Sequence, residues 1–145
     1  MEDDEGLVKL PLGPRLGGKV RHAMGVRHDD AGQASSTQWK VIERFDGYTR
    51  LHIDLLTGRR HQIRVHMAAV GHPVVGDKIY GRDDEIFLRY LDCEMTEEDR
   101  TLLELHRQAL HSSALTFKHP DKGQMRIASP WPADLKKFTD QLKRS

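Results

Sequence analysis

Two stretches of different periodicity stand back to back in this chain, and together they restrict what it can fold into. Trp39, Val41 and Phe45 fall on alternating positions, Asp46-Gly47 follows, and then Leu51, Ile53 and Leu55 alternate with Arg50, His52 and Asp54. A period of two on both sides of an Asp-Gly turn specifies an antiparallel β-hairpin with one buried face. Gly58 breaks the second strand. Beyond it the period lengthens: Ile63, Met67 and Val70 have helical spacing, and Gly71 and Pro73 end the run. That pattern predicts a short helix from about Arg60 to Val70 with Gly71 just past its C-terminus.

The rest of the chain is read in the same way. Residues 1–36 are rich in Gly, Pro and small polar residues and carry little periodicity, so they are read as an extended N-terminal arm with a short strand near Lys19–Val26, or equally as a partly disordered tail. Val74-Val75 reads as a short buried strand ending at Gly76-Asp77. Arg82–Met95 is charged and irregular. Thr96 followed by Glu97, Glu98 and Asp99 has the form of an N-cap with an acidic first turn, and Leu102, Leu103 and Leu105 supply a buried side. Ala109–Lys118 and Gln124–Ser129 form a second hairpin around His119-Pro120-Asp121-Lys122-Gly123. Pro130-Trp131-Pro132 is a stiff connection to a last helix, about Pro132 to Lys143. Leu135, Phe138 and Leu142 share one face of that helix, and Lys136, Lys137, Lys143 and Arg144 favour its C-terminal half. The expected fold is α+β, a mixed and mostly antiparallel sheet with a few short helices, in which residues 37–145 form one body after the arm.

Composition narrows the function classes. The chain is 145 residues long with a net charge of +1, and no apolar run approaches the length that crosses a bilayer. Met1-Glu2-Asp3-Asp4-Glu5 is acidic, the wrong sign for a signal peptide. The single cysteine, Cys93, cannot form an internal disulfide, which suits a reducing cytoplasm, and its acidic neighbours Asp92, Glu94, Glu97 and Glu98 oppose a reactive thiolate. A near-neutral chain is not a purely electrostatic nucleic-acid binder, although a local basic cleft is compatible with its charge.

Such a cationic island lies between Thr57 and His72, which hold three arginines and three histidines and no carboxylate. Arg60 and Arg64 are four apart, so they project from neighbouring positions on one side of the helix and repel unless an anion lies beside them. Arg64 is flanked by Ile63 and Val65 and so sits at the edge of the buried face, where a guanidinium needs a partner. No acidic residue stands nearby in sequence, which predicts that the partner comes from elsewhere. His61 and His66 are five apart, whereas a metal pair on one helix wants four, and no glutamate accompanies them, so no metal site is expected. His61 reads as a backbone or phosphate hydrogen-bonder, His66 and His72 as packed histidines, and Asp77 as a turn cap. There is no Gly-rich phosphate loop and no serine framed as a nucleophile.

These same residues resemble a known family. Thr57-Gly58-Arg59-Arg60-His61-Gln62-Ile63-Arg64-Val65-His66, then Gly71-His72-Pro73-Val74-Val75-Gly76-Asp77 and Tyr80-Gly81, closely resemble the third motif of the RluA-type pseudouridine synthases, which isomerise uridine to pseudouridine in ribosomal and transfer RNA. Arg107-Gln108-Ala109-Leu110-His111-Ser112 with Leu115-Thr116-Phe117-Lys118-His119-Pro120 is similar to the family's next block. Pro130-Trp131-Pro132-Ala133-Asp134-Leu135 is similar to its closing segment, and Leu10-Pro11-Leu12-Gly13-Pro14 to the lead-in before the third motif. The resemblance implies a partial pseudouridine synthase catalytic domain in which Arg64 forms an ion pair with the catalytic aspartate. It places Leu110 beside the target base, makes Arg59, Arg60 and His61 candidates for RNA phosphates, and requires no metal or cofactor.

The family's aspartate belongs to an Arg-Leu-Asp-x-x-Thr-Ser/Thr-Gly motif that precedes the third motif, and this motif is not found in the chain. Arg89-Tyr90-Leu91-Asp92 lacks both the Arg-Leu adjacency and the following Gly. The expectation is therefore a C-terminal half that is inactive alone and whose partners are RNA and the N-terminal half of the catalytic domain, with no membrane involved. A non-catalytic RNA-binding module that retains the basic island is the alternative. A third possibility is a globular fragment whose basic patch replaces a lost intramolecular contact.

Overall fold

The hairpin forms as its alternation requires. In the computed structural model, which describes residues 1–143, β4 (Ser36–Phe45) and β5 (Tyr48–Leu55) pair antiparallel, with Phe45 opposite Tyr48. Gly47, at φ 73°, supplies the left-handed turn residue. A register shift between Val41 and Glu43 marks a bulge.

Residues 1–36 pair into the fold rather than standing as an extended arm, and the short strand expected near Lys19–Val26 is present within them. They contain β1 (Glu5–Lys9), β2 (Leu12–Pro14) and β3 (Met24–Val26). β1 adds a third strand beside β4, giving the order β1-β4-β5, and β2 pairs with β3. Gly6 lies opposite Trp39, where a Cβ would stand 2.5 Å from Trp39 Cζ2, so the glycine is what lets the indole cover the strand. Strands of three to five residues are too short to show alternation, which is why this segment reads as patternless.

α1 (Gln62–Ala69) lies between two apolar clusters and holds the site in place. Met67 joins Val8 and Trp39, with Ile53, Ile63 and Val74 packed around them. Val65 joins Leu12, Val20, Ala23, Ile79 and Tyr80. The helix ends in a full Schellman motif: Gly71, at φ 82°, donates its N–H to Ala68 O, and His72 donates to Met67 O at 2.8 Å.

Val74-Val75 is not a strand; Asp77 N–H closes a turn on Val74 O at 3.1 Å, and Val75 O accepts from Ala109 N–H. The stretch expected to be irregular contains α2 (Asp84–Leu91), capped by Asp83, whose side chain accepts from Glu85 N–H at 3.1 Å. Ile86 is its buried anchor. α3 (Glu97–Leu103) begins with the expected Thr96 cap, here a capping box closed by Asp99. Leu103 is buried and Leu102 exposed.

The chain divides into a unit over Met1–Ala109 and a smaller one over Leu110–Ser145. The second contains the hairpin β6 (Ala114–His119) and β7 (Gly123–Ala128) and the helix α4 (Ala133–Leu142), anchored by buried Leu135. The strand expected from Ala109 begins at Ala114. Arg144, expected among the basic residues near the end of that helix, lies outside the described residues. Among the described residues no helix is long and apolar enough to cross a membrane.

Candidate active site

The approach to α1 is organised by Gln62, a residue to which sequence reasoning assigned no role of its own. Gln62 is 2% exposed, and each of its carboxamide atoms is used twice. Oε1 accepts from the Thr57 hydroxyl at 2.8 Å and from Arg59 N–H at 2.9 Å; Nε2 donates to Ser36 O at 3.0 Å and Thr37 Oγ1 at 2.9 Å. A single amide thus joins the Thr57–Arg59 loop to the edge of β4, with no polar group left over. The signal available in the sequence was a lone glutamine at the first turn of an otherwise apolar and cationic helix.

His66 continues the network. Its ring has no solvent exposure, Nδ1 lies 2.8 Å from Thr37 Oγ1, and Nε2 lies 3.0 Å from Leu10 O. A carbonyl can only accept, so Nε2 carries the proton. Thr37, already accepting from Gln62, then donates its hydroxyl to Nδ1. The relay Gln62–Thr37–His66–Leu10 is complete with a neutral imidazole, and burial pushes His66 below its usual pKa. His66 is therefore a packed, satisfied histidine, as expected.

Arg64 has a local partner, and the expectation that it would lack one is overturned. Its Nε and Nη2 donate to the two oxygens of Asp77, each at 2.7 Å. The Asp77 carboxylate is fully buried; Oδ1 also accepts from Ile79 N–H at 2.9 Å and Tyr80 N–H at 3.1 Å, so Asp77 caps its turn as expected and grips Arg64 as well. The two residues are thirteen apart, beyond the one or two helical turns over which a counter-charge is visible as a local pattern. The guanidinium carbon stands 4.9 Å from the centre of the Tyr80 ring. Burial opposes the Arg64 charge, but the Asp77 pair outweighs it and raises the pKa.

Tyr80 ties this arrangement to the start of α1. Its hydroxyl accepts from Met24 N–H at 2.8 Å and lies 2.7 Å from His61 Nδ1. His61 adopts a left-handed backbone at φ 56°, and burial, followed by the charges of Arg64 and Arg60, lowers its pKa. His61 thus hydrogen-bonds to a tyrosine. Arg60 and Arg59 are exposed, with Arg60 Nη2 donating to His22 O at 2.6 Å and Arg59 Nε 3.5 Å from Ala34 O.

Arg64 uses two of its three nitrogens; Nη1 makes no hydrogen bond among the described residues. The side chain lines a cavity of about 180 Å³ with Lys78, Phe87, Tyr90, His106 and Arg107. Lys78 donates to His106 O and stands 4.8 Å from the centre of the Tyr90 ring. Leu110 begins the second unit, half-buried. No three His, Cys, Asp or Glu side chains are grouped to hold a metal ion among the described residues, and Cys93 is exposed.

A small antiparallel sheet thus backs a short helix on which a guanidinium is fixed by a buried carboxylate. The family model for RNA pseudouridylate synthase matches residues 1–69. Ribosomal large subunit pseudouridine synthase D of Haemophilus ducreyi is 38% identical over 131 residues, 85% of this chain and 36% of that protein. The protein of the same name from Pseudomonas aeruginosa is 39% identical over 90% of this chain and 38% of its own length. The uncharacterized RNA pseudouridine synthase YlyB of Bacillus subtilis is 33% identical over 98% of this chain and 40% of its own length. The fold is that of human RNA pseudouridylate synthase domain containing 1, with a TM-score of 0.65 at 23% identity, covering 100% of this chain and 62% of the human one. The chain belongs to the RluA-type family of RNA pseudouridine synthases. It spans about two fifths of the length of the curated relatives that it matches.

Proposed function

We propose that this chain is part of the catalytic domain of an RNA pseudouridine synthase, acting in the cytoplasm on uridine in ribosomal or transfer RNA. The reaction breaks the N1–C1′ bond of uridine, turns the base and joins C5 to C1′; the C5 proton leaves and N1 gains one. A carboxylate must attack the sugar or remove one of its protons. Asp77 cannot fill that role, because Arg64 and two backbone N–H groups occupy its oxygens. By the family resemblance the catalytic aspartate belongs to an Arg-Leu-Asp motif that is not found in these 145 residues.

The observation that carries this reading is the state of Arg64. With Nε and Nη2 clamped on Asp77, the guanidinium plane is fixed and Nη1 remains for a second carboxylate. A fixed cation at hydrogen-bond distance keeps such a carboxylate ionised and oriented at neutral pH. Arg64 therefore acts through the nucleophile; the family resemblance is what assigns Leu110 to packing beside the base and Arg59, Arg60 and His61 to the RNA path. The target nucleotide leaves its stack to reach such a site.

Release of tritium from RNA labelled at C5 of uridine tests the proposal. The 145 residues alone release none, and adding a segment from a relative that bears the Arg-Leu-Asp motif yields turnover. In that complemented enzyme, Arg64→Lys lowers kcat by about 100-fold or more, because an ammonium cannot grip two carboxylates in fixed planes. Turnover by the chain alone overturns the assignment of the nucleophile. Full activity of the Arg64→Lys enzyme overturns the role of Arg64.

A further inference from the structure

The cavity beside Arg64 has a charge pattern that the pairing of Arg64 with Asp77 does not explain. Its charged walls are Arg64, Lys78 and Arg107, and no carboxylate lines it. Asp77, next to Lys78 in sequence, is committed to Arg64 and to the N–H groups of Ile79 and Tyr80. Lys78 is half-buried and forms no ion pair among the described residues; its ammonium donates to His106 O and stands over the Tyr90 ring. A carbonyl and a ring face replace part of an ammonium's hydration but neutralise none of its charge. Burial lowers the proton affinity of Lys78; Asp77 opposes that and Arg64 adds to it. Cations gathered in this way repel one another unless an anion enters between them.

The walls are fastened to one another. Ala109 N–H donates to Val75 O at 2.8 Å, and Gly76 runs so close to Arg107 O that a Cβ would stand 2.1 Å from it, so the turn before Lys78 and the segment carrying Arg107 are held together. Phe87 and Tyr90 of α2, with ring centres 6.4 Å apart, supply an aromatic wall, and Gln108 an amide. The volume of about 180 Å³ lies below the roughly 300–1,000 Å³ of clefts that take whole drug-sized ligands, so the space suits one oxyanion rather than a whole nucleotide. A guanidinium offers a planar fork and an ammonium a point charge with three donors. That combination matches the tetrahedral oxygens of a phosphate better than the two coplanar oxygens of a carboxylate.

We infer that this cavity is a phosphate subsite, in which Lys78 and Arg107 hold a single phosphate group while Arg64 stays with Asp77. None of Arg59, Arg60 and His61 lines it. The phosphate is either free or one linkage of a bound strand. The second source rests on the reading of the substrate as RNA; the subsite itself does not.

Amide NMR shifts of the chain, titrated at constant ionic strength with inorganic phosphate, with acetate and with a trinucleotide that has uridine at its centre, test the subsite. Phosphate should shift the amides of Lys78, Ile79, Arg107 and Gln108 saturably, and acetate should leave them in place. The trinucleotide should shift the same amides at lower concentration, and making one of its linkages a neutral methylphosphonate should weaken it by about tenfold, the loss of one charge-assisted contact. Lys78→Met keeps the stem over Tyr90 without the charge; it should abolish the phosphate shifts and remove the methylphosphonate penalty. Lys78→Arg should retain both. Acetate shifts equal to those of phosphate overturn the subsite, as does the absence of saturable phosphate shifts, or a phosphate response that survives Lys78→Met. The comparison of phosphate with acetate needs no variant, so it decides even where Lys78→Met does not fold. Shifts by phosphate without shifts by the trinucleotide uphold the subsite and assign it to free phosphate. Isomerisation is decided separately by the tritium assay.

Discussion

Asp77→Asn keeps the shape of the side chain but places an amide N–H₂ or a neutral oxygen against the Arg64 guanidinium. The native carboxylate is fully buried and Arg64 has 13% of its side chain exposed, so the variant leaves a largely buried cation without its counter-charge. Breaking a buried pair from one side costs about 3 kcal/mol, because the abandoned ion has lost its hydration and gained nothing in return. Urea unfolding should show this loss as a fall in midpoint with an unchanged slope. In the complemented enzyme the same variant should lower kcat far more than KM, since the position of Arg64 is what the carboxylate fixes. The need for a partner was legible in the sequence: a helix arginine between Ile63 and Val65 cannot remain solvated. The identity of the partner was not, because Asp77 reaches Arg64 only after the chain turns at Gly71 and Gly76. Gln62 was overlooked for a related reason. Its value lies in four bonds to Ser36, Thr37, Thr57 and Arg59, and no local window contains the two to Ser36 and Thr37.

Helix α1 shows what an element can disclose about itself. Its apolar spacing, Gly71 and Pro73 all point inward to the same eight residues, so its limits were nearly right from sequence pattern alone. Gly71 also provides a clean test. At φ 82°, with nothing within 4 Å of where a Cβ would stand, Gly71→Ala meets no neighbour, and its cost is the left-handed backbone alone, about 1–2 kcal/mol. Gly76→Ala adds a clash to a similar backbone, since its Cβ would lie 2.1 Å from Arg107 O. Thermal unfolding should therefore rank Gly76→Ala well below Gly71→Ala. Equal midpoints would show that the Arg107 segment yields freely. α2 was missed because its signal is charge: Asp83 caps, Asp84 and Glu85 fill the first turn, and only Ile86 is fully buried. Asp84 is also committed to Arg15 and Lys19, so the start of this helix was shaped by a contact sixty-nine residues away in sequence.

Across the whole molecule, stability against pH is set by the groups whose proton affinity changes on folding. His66 and His61 are both pushed below their usual 6.5, His66 by burial and His61 by burial and then the neighbouring arginines. The unfolded chain therefore takes up protons first as the pH falls, so this contribution is complete above pH 6.5 and is lost on acidification through the folded values. His66 alone supplies a slope of at most about 1.4 kcal/mol per pH unit. Protonating it also breaks the relay, because a cationic ring offers Thr37 a second donor where the hydroxyl proton now points. Asp84 behaves in the same sense at lower pH: Arg15 holds it below its usual 3.8, so its contribution is present above that value and lost below it. Urea midpoints should thus be level above about pH 7.5, fall as the pH drops below about 6.5, and fall again below about pH 4. His66→Gln should flatten the first fall and leave the second in place. An unchanged first fall in that variant would assign it to His61 and separate the two histidines. Both histidines link residues 1–36 to α1, through Leu10 O and, by way of Tyr80, Met24 N–H. Loss of the first step on acidification should therefore loosen the segment that the sequence presented as a free arm, and hydrogen exchange at Leu12 and Met24 should accelerate with it.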